Sequence, residues 1–586
     1  MTVRLTRRAL VQGLAAGGLL PWWVGLGMPA AAAAEAAFGH GVASGDPTDD
    51  SVVLWTRVRP EGGARRVTWT LAEDPAFTQV LQKGAVQTGP AQDFTVKVLV
   101  AGLAPGHRYY YRFSDGTATS LVGRTRTLPV GSVAKLTLAV ASCSNYPFGH
   151  FNGYDAIARD PAVDVVLHLG DYLYEYGQDG YGGTTGARLG RAHEPSGEIL
   201  SLADYRTRHG QYKADPASIL MHAAHPLIAI WDDHESANNP WQGGAENHQP
   251  DTEGPWAPRR AASLQAYYEW MPLRDAASPE ARADYWRHFR FGDLASLVSL
   301  ETRHTGRAEQ IDYRQHLSET SDASAIEAFR QTVLGAPGRR MMPAREEAFL
   351  RDALKEMVKA ERPWRLLANQ IPMARVHVPP LRDEAFTAVA ASSEHPARAH
   401  WEGLAALGDA NLPIYLDTWD GYPWARQRFY DLLAEAGVTD ALVLTGDSHA
   451  FWLNALFDDR GQARGLELGT TGITSPGDFA AFGPELGALI DQRLADHNPE
   501  VLWTDNIPRG WLKVTLERGQ ATAEYLALST VTGTDYTQRV HKRVVLTRED
   551  GTLKAALALH HEHSGFPKGI GHVLRPHAGK EYVVGF

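Results

Sequence analysis

The 586-residue sequence contains a single cysteine, Cys143, so an internal disulfide is excluded. It also has no excess of basic residues: 57 Lys and Arg against 68 Asp and Glu give a formal net charge of -11. A protein dedicated to nucleic acids needs a positive surface, so we expect no such partner. Beyond residue 34 no stretch is long and apolar enough to span a bilayer, and we expect no stable membrane anchor.

Residues 1–34 predict a targeting segment. The pair Arg7 and Arg8 precedes an apolar, Gly-rich stretch, and the small residues Pro29–Ala32 offer a cleavage site. Paired arginines at this place resemble a twin-arginine signal, with a plain secretory signal or an uncleaved anchor as the alternative. We therefore expect a bacterial protein exported to the periplasm or the exterior by the twin-arginine machinery, which carries folded proteins.

Residues 38–130 predict a small antiparallel β-sandwich. Short strands alternate with Gly, Pro and Asp turns at Ser51–Val58, Arg66–Leu71, Thr95–Val100 and Arg108–Phe113. The Pro105-Gly106 turn followed by an aromatic strand is typical of immunoglobulin-like or fibronectin-like sandwiches. We expect this domain to act as a scaffold or to control access to a site elsewhere.

Residues 131–550 predict an α/β catalytic domain, because buried strands alternate with helical segments. The predicted strands are Leu136–Ser142, Val163–Leu169, Leu227–Ile230, Ala295–Leu300, Trp364–Ala368, Ala441–Thr445, Leu466–Leu468, Trp511–Glu517 and Ala521–Leu528. The predicted helices are Ser201–Gln211, Ala261–Trp270, Ala344–Ala360 and Pro423–Ala436. Residues 551–586 show no clear pattern, and their Gly and His content suggests a segment that covers the active-site cleft.

Three loops, each directly after an apolar strand, indicate the chemistry. They are Gly170–Tyr174, Trp231–Glu235 and Gly446–His449. Oxygen ligands, a phenol and imidazoles at strand ends are what a two-metal hydrolytic site requires. Each loop alone would also fit a solvated turn, but three such loops after three strands favour a metal site.

The residue types assign different roles within these loops. Asp171 can bridge two cations because each carboxylate oxygen can serve one metal, and Tyr174 can add a phenolate for an oxophilic trivalent cation. In the second loop one carboxylate can bind metal while the adjacent His234 faces the substrate as an acid. Asp447 and His449 alternate along an extended segment and can reach the same metal pair.

Cys143 follows another buried strand, within Ala141–Asn145. A metal-bound thiolate is the interpretation we favour; a buried core thiol and a nucleophile are the alternatives. No histidine lies within the same motif, which makes the nucleophile the weakest of the three.

Together these motifs resemble those of PhoD-type alkaline phosphatases. The resemblance rests on Ala141–Cys143, Gly170–Glu175, Trp231–Glu235 and Leu444–His449, on His40–Pro47 and Val53–Arg57 ahead of them, and on Asp417–Tyr422. It covers roughly residues 38 to 540. It implies a four-layer α/β/β/α core of the metallophosphoesterase kind, preceded by the β-sandwich, and a site that holds Fe(3+) and Ca(2+).

Carried over to this sequence, the resemblance makes Asp171 the bridging ligand. Cys143, Tyr174 and His449 would complete the ligands of the ferric iron. Asp233 and Asp447 would bind calcium together with Asp171, with Asp232 as the alternative to Asp233.

The same resemblance implies three substrate-facing roles. His234 would stabilise or protonate the leaving group, and Asn238 or Asn239 would help to bind phosphate or calcium. Arg303 is a candidate phosphate-facing cation, with an exposed salt bridge as the alternative.

The function implied is hydrolysis of phosphate mono- and diesters through attack by a metal-bound hydroxide or oxo bridge. A dedicated phosphodiesterase or a phospholipase D on the same metal core is the first alternative. A non-catalytic exported calcium-binding protein is the second. We expect a monomer.

Overall fold

The computed structural model of the chain describes residues 37–318, 321–392, 394–549 and 551–557. The expected targeting segment, residues 1–34, lies outside the described residues, as do residues 558–586. The twin-arginine signal and the covering of the cleft by the C-terminal segment therefore stay predictions.

Two large β-sheets form the centre of the molecule, with strands numbered in chain order. The ten-stranded sheet has the spatial order β23 (Thr552–Leu557), β22 (Gln538–Glu549), β21 (Gln520–Leu528), β20 (Arg509–Glu517), β8 (Lys135–Ala141), β9 (Val165–His168), β10 (Leu227–Ala229), β1 (Val42–Gly45), β2 (Val52–Arg57) and β5 (Thr95–Val100). The run from β8 to β1 is parallel, and the flanking strands are antiparallel. Parallel strands place the loops that follow them at one edge of a sheet.

The seven-stranded sheet has the spatial order β13 (Arg287–Phe291), β14 (Ala295–Ser299), β15 (Trp364–Ala368), β16 (Ala441–Thr445), β18 (Ala463–Gly469), β17 (Phe451–Phe457) and β19 (Val501–Asp505). Strands β14, β15, β16 and β18 are parallel. Two smaller sheets complete the described strands: β4 (Val80–Thr88), β3 (Arg65–Ala72), β6 (Arg108–Ser114) and β7 (Gly123–Arg126), and the pair β11 (Pro240–Trp241) and β12 (Gly244–Ala245).

Alternation along the strands of the seven-stranded sheet builds two cores. Leu366 and Leu442 point to the core shared with the ten-stranded sheet, whereas Leu367 and Val443 point to the opposite face. That opposite face is covered by the helices Ala344–Lys359 and Pro423–Glu435. Helices also pack against the ten-stranded sheet, which gives the α/β/β/α layers expected from the sequence.

The α-helices of the described residues vary from one turn to about four. They are Asn152–Arg159, Gly183–Leu189, Leu202–Lys213, Pro216–Ala224, Pro250–Glu253, Trp256–Trp270, Ala323–Phe329, Ala344–Lys359, Thr387–Ala391, Arg398–Asp409, Pro423–Glu435 and Gly483–His497. None of them offers an apolar stretch long enough to cross a lipid bilayer.

The N-terminal β-rich region shares one sheet with the catalytic core. Its own buried cluster joins Val52 and Val96 of the ten-stranded sheet to Val67 and Tyr111 of the four-stranded sheet. Strand β1 pairs in parallel with β10, so one half of the expected sandwich extends the central sheet. Alternating hydrophobicity predicts these strands but does not identify their distant partners.

Several predicted elements have the bounds expected, namely Thr95–Val100, Trp364–Ala368 and Ala441–Thr445. The helix expected at Ala261 begins earlier, at Trp256, directly after the Gly254-Pro255 pair. The sequence patterns did not predict the helices Asn152–Arg159 and Pro216–Ala224. Strand β23 also lies in the segment for which no pattern was evident.

Candidate metal site

The loops after five strands converge between the two large sheets. Cys143, Asp171 and Asp233 follow β8, β9 and β10 of the ten-stranded sheet, whereas Arg303 and Asp447 follow β14 and β16 of the seven-stranded sheet. All of these strands belong to parallel runs, so their carboxyl ends reach the same edge of the fold. The candidate site therefore draws on both sheets.

The backbone of these loops is unusual. Four of the proposed metal ligands have a left-handed conformation: Cys143 (φ 59°), Asp171 (φ 55°), Asp447 (φ 63°) and His449 (φ 54°). This region is sparsely populated by residues that carry a Cβ, and such conformations cluster at functional sites. Gly170 has φ 101°, and a Cβ there would overlap Asp232. The glycine thus allows two of the loops to touch.

Cys143, Asp171, Tyr174 and His449 form what we call the thiol–phenol group. One ligand atom from each of Cys143, Asp171 and His449 lies within 4.8 Å of the others. The Tyr174 hydroxyl donates to Asp171 Oδ2 at 2.9 Å and lies 3.2 Å from His449 Nε2. A carbonyl can only accept, so His449 Nδ1 donates to the carbonyl of Pro476 at 2.9 Å, which leaves the Nε2 lone pair facing the group.

Asp171, Asp232, Asp233 and Asp447 form a second set, the carboxylate group. One oxygen from each lies within 4.8 Å of the others. The first three side chains are buried, and Asp232 Oδ2 and Asp233 Oδ1 have no hydrogen-bond partner. Buried polar atoms are normally paired, so two buried oxygens without a hydrogen bond are unusual. Both are available to bind a cation.

The surroundings of the two groups shift the pKa values of Asp171, Cys143 and Tyr174 from their usual values. Burial, followed by the Asp233 and Asp232 charges, raises the pKa of Asp171 well above its usual value. Burial and the Asp171 charge raise the pKa of Cys143 and of Tyr174 in the same way. A bound cation reverses this effect, because it favours the deprotonated form of each ligand.

Arg303 lies inside the carboxylate group and is fully buried. Its Nε donates to Asp232 Oδ1 at 2.5 Å, and its Nη2 donates to Asp447 Oδ1 at 3.2 Å. Asp233 and Asp417 lie 3.9 and 3.8 Å from its guanidinium nitrogens. The alternative of an exposed salt bridge is therefore wrong, because the guanidinium holds several carboxylates in the interior.

His234 lies at the border of both groups. Its Nδ1 donates to Glu175 Oε2 at 2.7 Å, and its Nε2 lies 3.9 Å from Asp233 Oδ2. Burial alone would lower the pKa of His234, but the Asp233 and Glu175 carboxylates outweigh it and raise the pKa to about 9. The ring also stacks on Tyr174, with centroids 4.1 Å apart. An imidazole that is oriented and protonated in this way can donate a proton from Nε2.

Asn238 and Asn239 contribute through their backbone. Their N–H groups donate to Glu175 Oε1 at 2.7 Å and to Asp233 Oδ2 at 2.9 Å. Both side-chain amides donate to Glu246 Oε2, at 3.3 and 2.7 Å. Contact of these side chains with phosphate or calcium stays a prediction.

Glu175 and Glu235 stand within the sequence motifs, which assign them no role. Glu235 is buried and accepts three backbone N–H groups, from Asp171 (3.1 Å), Tyr172 (2.6 Å) and Asp232 (2.8 Å). It therefore joins the loops after β9 and β10. The signal in the sequence was the glutamate that ends each of these two motifs. Burying a carboxylate without a partner is costly, so a buried glutamate there indicates a supporting role.

A two-sheet α/β fold with a cluster of thiol, phenol, imidazole and carboxylate groups at its strand ends is the arrangement expected of a metal-dependent hydrolase. The chain belongs to the PhoD-like phosphatase family, which matches residues 138–525, and the N-terminal domain of PhoD-like phosphatases matches residues 25–129.

Two known proteins extend this result. Alkaline phosphatase D of Bacillus subtilis (strain 168) is 35% identical over 511 residues, which cover 84% of this chain and 78% of that protein. The solved structure of PhoD is 32% identical and superposes with a TM-score of 0.73 over 89% of this chain and 92% of that one. The resemblance read from the motifs is confirmed, and the chain is a phosphoric ester hydrolase of the alkaline phosphatase D type.

Proposed function

We propose that this chain is an exported phosphatase and phosphodiesterase that works with Fe(3+) and Ca(2+). The observation that carries the proposal is the composition of the two overlapping groups, which share Asp171. The thiol–phenol group offers sulfur, a phenol and an imidazole, whereas the carboxylate group offers oxygen alone. Thiolate, phenolate and imidazole suit iron, and calcium prefers oxygen ligands.

The residues present fit this pair of cations. Two oxygens of the carboxylate group, Asp232 Oδ2 and Asp233 Oδ1, lack a hydrogen-bond partner. Arg303 brings one positive charge against four carboxylates, which leaves negative charge for cations to neutralise. Arg303 binds Asp232 Oδ1 more closely (2.5 Å) than Asp447 Oδ1 (3.2 Å), so we assign calcium to Asp171, Asp233 and Asp447, with Asp232 as the alternative to Asp233. Iron is assigned to Cys143, Asp171, Tyr174 and His449.

When bound, the cations supply a nucleophile from water at neutral pH and neutralise charge on the phosphoryl oxygens. The chain itself supplies the acid: His234 is held by Glu175 through Nδ1, so that Nε2 can deliver a proton to the departing alkoxide. Arg303 fixes Asp232 and Asp447 in place and thereby acts as a positioning residue for the carboxylate group. Direct contact of Arg303 with phosphate, as expected from the resemblance, is not needed for this role.

We propose monoesters as the preferred substrates, with substantial activity on diesters. An assay panel of a monoester, a diester and phosphatidylcholine, run beside metal analysis, tests this order. A phosphodiesterase or a phospholipase D would show the opposite order. Family membership argues against the non-catalytic calcium-binding alternative.

The bridging role of Asp171 gives the first prediction. Asp171→Asn should lose most of the bound iron and calcium and nearly all activity, because both groups share this carboxylate. Metal analysis and turnover on a monoester measure both effects. Asp496→Asn, an exposed site on the helix Gly483–His497, is the matched control. Full iron content with near-normal turnover in Asp171→Asn would refute the assignment.

Export through the twin-arginine machinery is proposed from Arg7 and Arg8. Replacing both with lysine should retain the full-length protein inside the cell, since this route reads the arginine pair. Cell fractionation measures the effect, and Arg4→Lys is the control. Normal export of the double variant would favour the plain secretory signal. We also propose that the exported protein is a monomer, which sedimentation analysis of the purified enzyme tests.

A further inference from the structure

An aromatic surface leads from the candidate site to solvent. The rings of His234 and Tyr174 stack with centroids 4.1 Å apart, and Tyr181 lies 6.2 Å from Tyr174 and 5.9 Å from Tyr176. Phe148 adds a further ring 4.8 Å from Tyr181. Tyr174 is fully buried whereas Tyr181 is 37% exposed, so the rings run from a proposed iron ligand to the protein surface.

The exposure of Tyr181 is uncommon for this protein. The other large apolar side chains exposed in the described part of the chain are aliphatic: Val80, Leu81, Leu99 and Val130. The adjacent Gly182 has φ 88° and lies against Phe148, where a Cβ would stand 3.0 Å from the ring, so the glycine allows the segment to pack closely on Phe148. An exposed ring beside a polar site is typical of a ligand-binding surface.

Arg509 adds a positive charge beside these rings. It begins β20, is half-buried, and lies next to the site, because Thr471 Oγ1 lies 2.7 Å from the carbonyl of His449 and 2.8 Å from that of Pro508. The Asp478 carboxylate acts electrostatically on Tyr181 and His449, and Arg509 acts on both in the opposite sense. Its Nη1 donates to the carbonyl of Ile507 at 2.7 Å. Among the residues that the structure describes, no carboxylate lies within ion-pair distance of this guanidinium.

The lack of a carboxylate partner among the described residues distinguishes Arg509 from Arg303. Arg303 is surrounded by carboxylates, so its charge is already compensated. Burial lowers the pKa of Arg509 to about 10, with Tyr181 opposing the shift, and the side chain therefore stays cationic at neutral pH. A guanidinium without a counter-ion beside a phosphoesterase site is free to bind an anionic group of a ligand.

We propose that Phe148, Tyr181 and Arg509 form a subsite for the organic part of the phosphoester. This subsite favours alcohols with a flat aromatic face and a second negative charge. The aromatic face stacks on Tyr181, and the negative charge pairs with Arg509. The proposal rests on the proposed function, since a phosphoryl group held at the thiol–phenol and carboxylate groups places its alcohol beside this surface.

The test uses the full-length, metal-loaded enzyme and three monoesters: phenyl phosphate, 4-carboxyphenyl phosphate and glycerol phosphate. For Tyr181→Ala, we expect the ratio of kcat/KM for phenyl phosphate to that for glycerol phosphate to fall about 3- to 10-fold, in line with the energy of a ring contact. The change should appear mainly in KM. Comparing the ratio with that of the wild type cancels the intrinsic reactivity of each ester.

Tyr181→Phe keeps the ring and should keep the ratio of the wild type. If Tyr181→Ala fails to fold, Tyr181→Leu carries the same comparison, because leucine retains apolar volume but no ring. Leu99→Ala is the control for loss of an exposed apolar side chain, since Leu99 lies on the edge strand β5. It should leave all three substrates unaffected.

Arg509 is tested with the pair that differs by one carboxylate. Arg509→Met should lower the preference for 4-carboxyphenyl phosphate over phenyl phosphate by about 10-fold or more, as expected for a charged hydrogen bond. Arg509→Lys should keep part of that preference. Arg518→Met, an exposed residue just beyond the other end of β20, is the control.

The outcomes separate the subsite from the function on which it rests. Unchanged ratios in active Tyr181→Ala and Arg509→Met variants would overturn the subsite and leave the phosphoesterase intact. A wild-type enzyme that hydrolyses none of the three monoesters, with iron and calcium supplied, would overturn the proposed function instead.

Discussion

The thiol–phenol group and the carboxylate group share Asp171 but are held together in different ways. In the first, neutral partners fix the ligands: Ser475 donates to the Tyr174 hydroxyl at 2.8 Å, and the carbonyl of Pro476 orients His449. In the second, the cation of Arg303 fixes Asp232 and Asp447. One group is organised by hydrogen bonds, the other by charge.

This difference has an energetic consequence. Hydrogen bonds between neutral groups persist with or without a bound cation, and each contributes about 0.5–1.5 kcal/mol. Buried carboxylates, in contrast, repel one another unless positive charge is present. We therefore expect the thiol–phenol group to keep its arrangement without metal, and the carboxylate group to depend on Arg303 and on calcium.

The largest effect should come from removing the buried cation. Arg303→Met leaves Asp232 and Asp447 without their partner, and the free energy of unfolding should fall by about 3–5 kcal/mol, as for other broken buried ion pairs. Calcium should restore part of this loss, because it neutralises the same carboxylates. Urea unfolding with and without calcium measures both effects.

Arg314→Met is the control for that experiment, because Arg314 is exposed and pairs with Asp312 two residues earlier. Its removal should change the unfolding free energy by less than about 1 kcal/mol. If Arg303→Met were as stable as this control, or if calcium had no effect on it, charge would not organise the carboxylate group.

The second effect should fall on the thiol–phenol group alone. Cys143→Ser replaces the soft ligand, so iron content should fall and turnover should decrease by about 100-fold or more. Loss of a residue that merely orients a metal ligand typically costs about 10- to 100-fold, and loss of the ligand itself should cost more. Calcium-dependent stability should stay near that of the wild type. Metal analysis and unfolding on one sample measure both.

Equal loss of iron and of calcium-dependent stability in Cys143→Ser would contradict the separation of the two groups. Full retention of both metals would favour the alternative of a core thiol. Ser44→Ala is a suitable control, because Ser44 is a buried small residue in β1 whose hydroxyl contacts none of the proposed ligands.

The sequence predicted which side chains meet in the two groups better than it predicted the residues that support them. Asp171, Asp447 and His449 follow apolar strands directly, and such strands place their loops at one edge of a sheet. The partners of the ligands are distant in the chain: Ser475 lies 301 positions after Tyr174, and Arg303 lies 71 positions after Asp232. No local pattern encodes pairings of this kind.

The same limit applies to the fold. Apolar alternation predicted β2 and β5, yet it could not show that β1 joins them to β10 of the catalytic core. The family resemblance suggested a phosphate-facing role for Arg303, with an exposed salt bridge as the alternative. The burial of Arg303 follows from the loop after β14 meeting the loops of the other sheet, which neither interpretation contains.

The smallest effect should come from Glu235, which joins the two loops without belonging to either group. Both oxygens of Glu235 accept backbone N–H groups, so Glu235→Gln places an NH2 group against a donor. We expect a loss of about 1–3 kcal/mol in the free energy of unfolding, the cost of an unsatisfied buried donor. Exposed Glu485→Gln is the control. Glu235 holds the loops after β9 and β10, which carry two of the three proposed calcium ligands, Asp171 and Asp233. Of the proposed iron ligands, Cys143 and His449 lie on other loops, so the loss of affinity should be larger for calcium than for iron. An equal loss for both metals would mean that the thiol–phenol group depends on the β9 and β10 loops as much as the carboxylate group does.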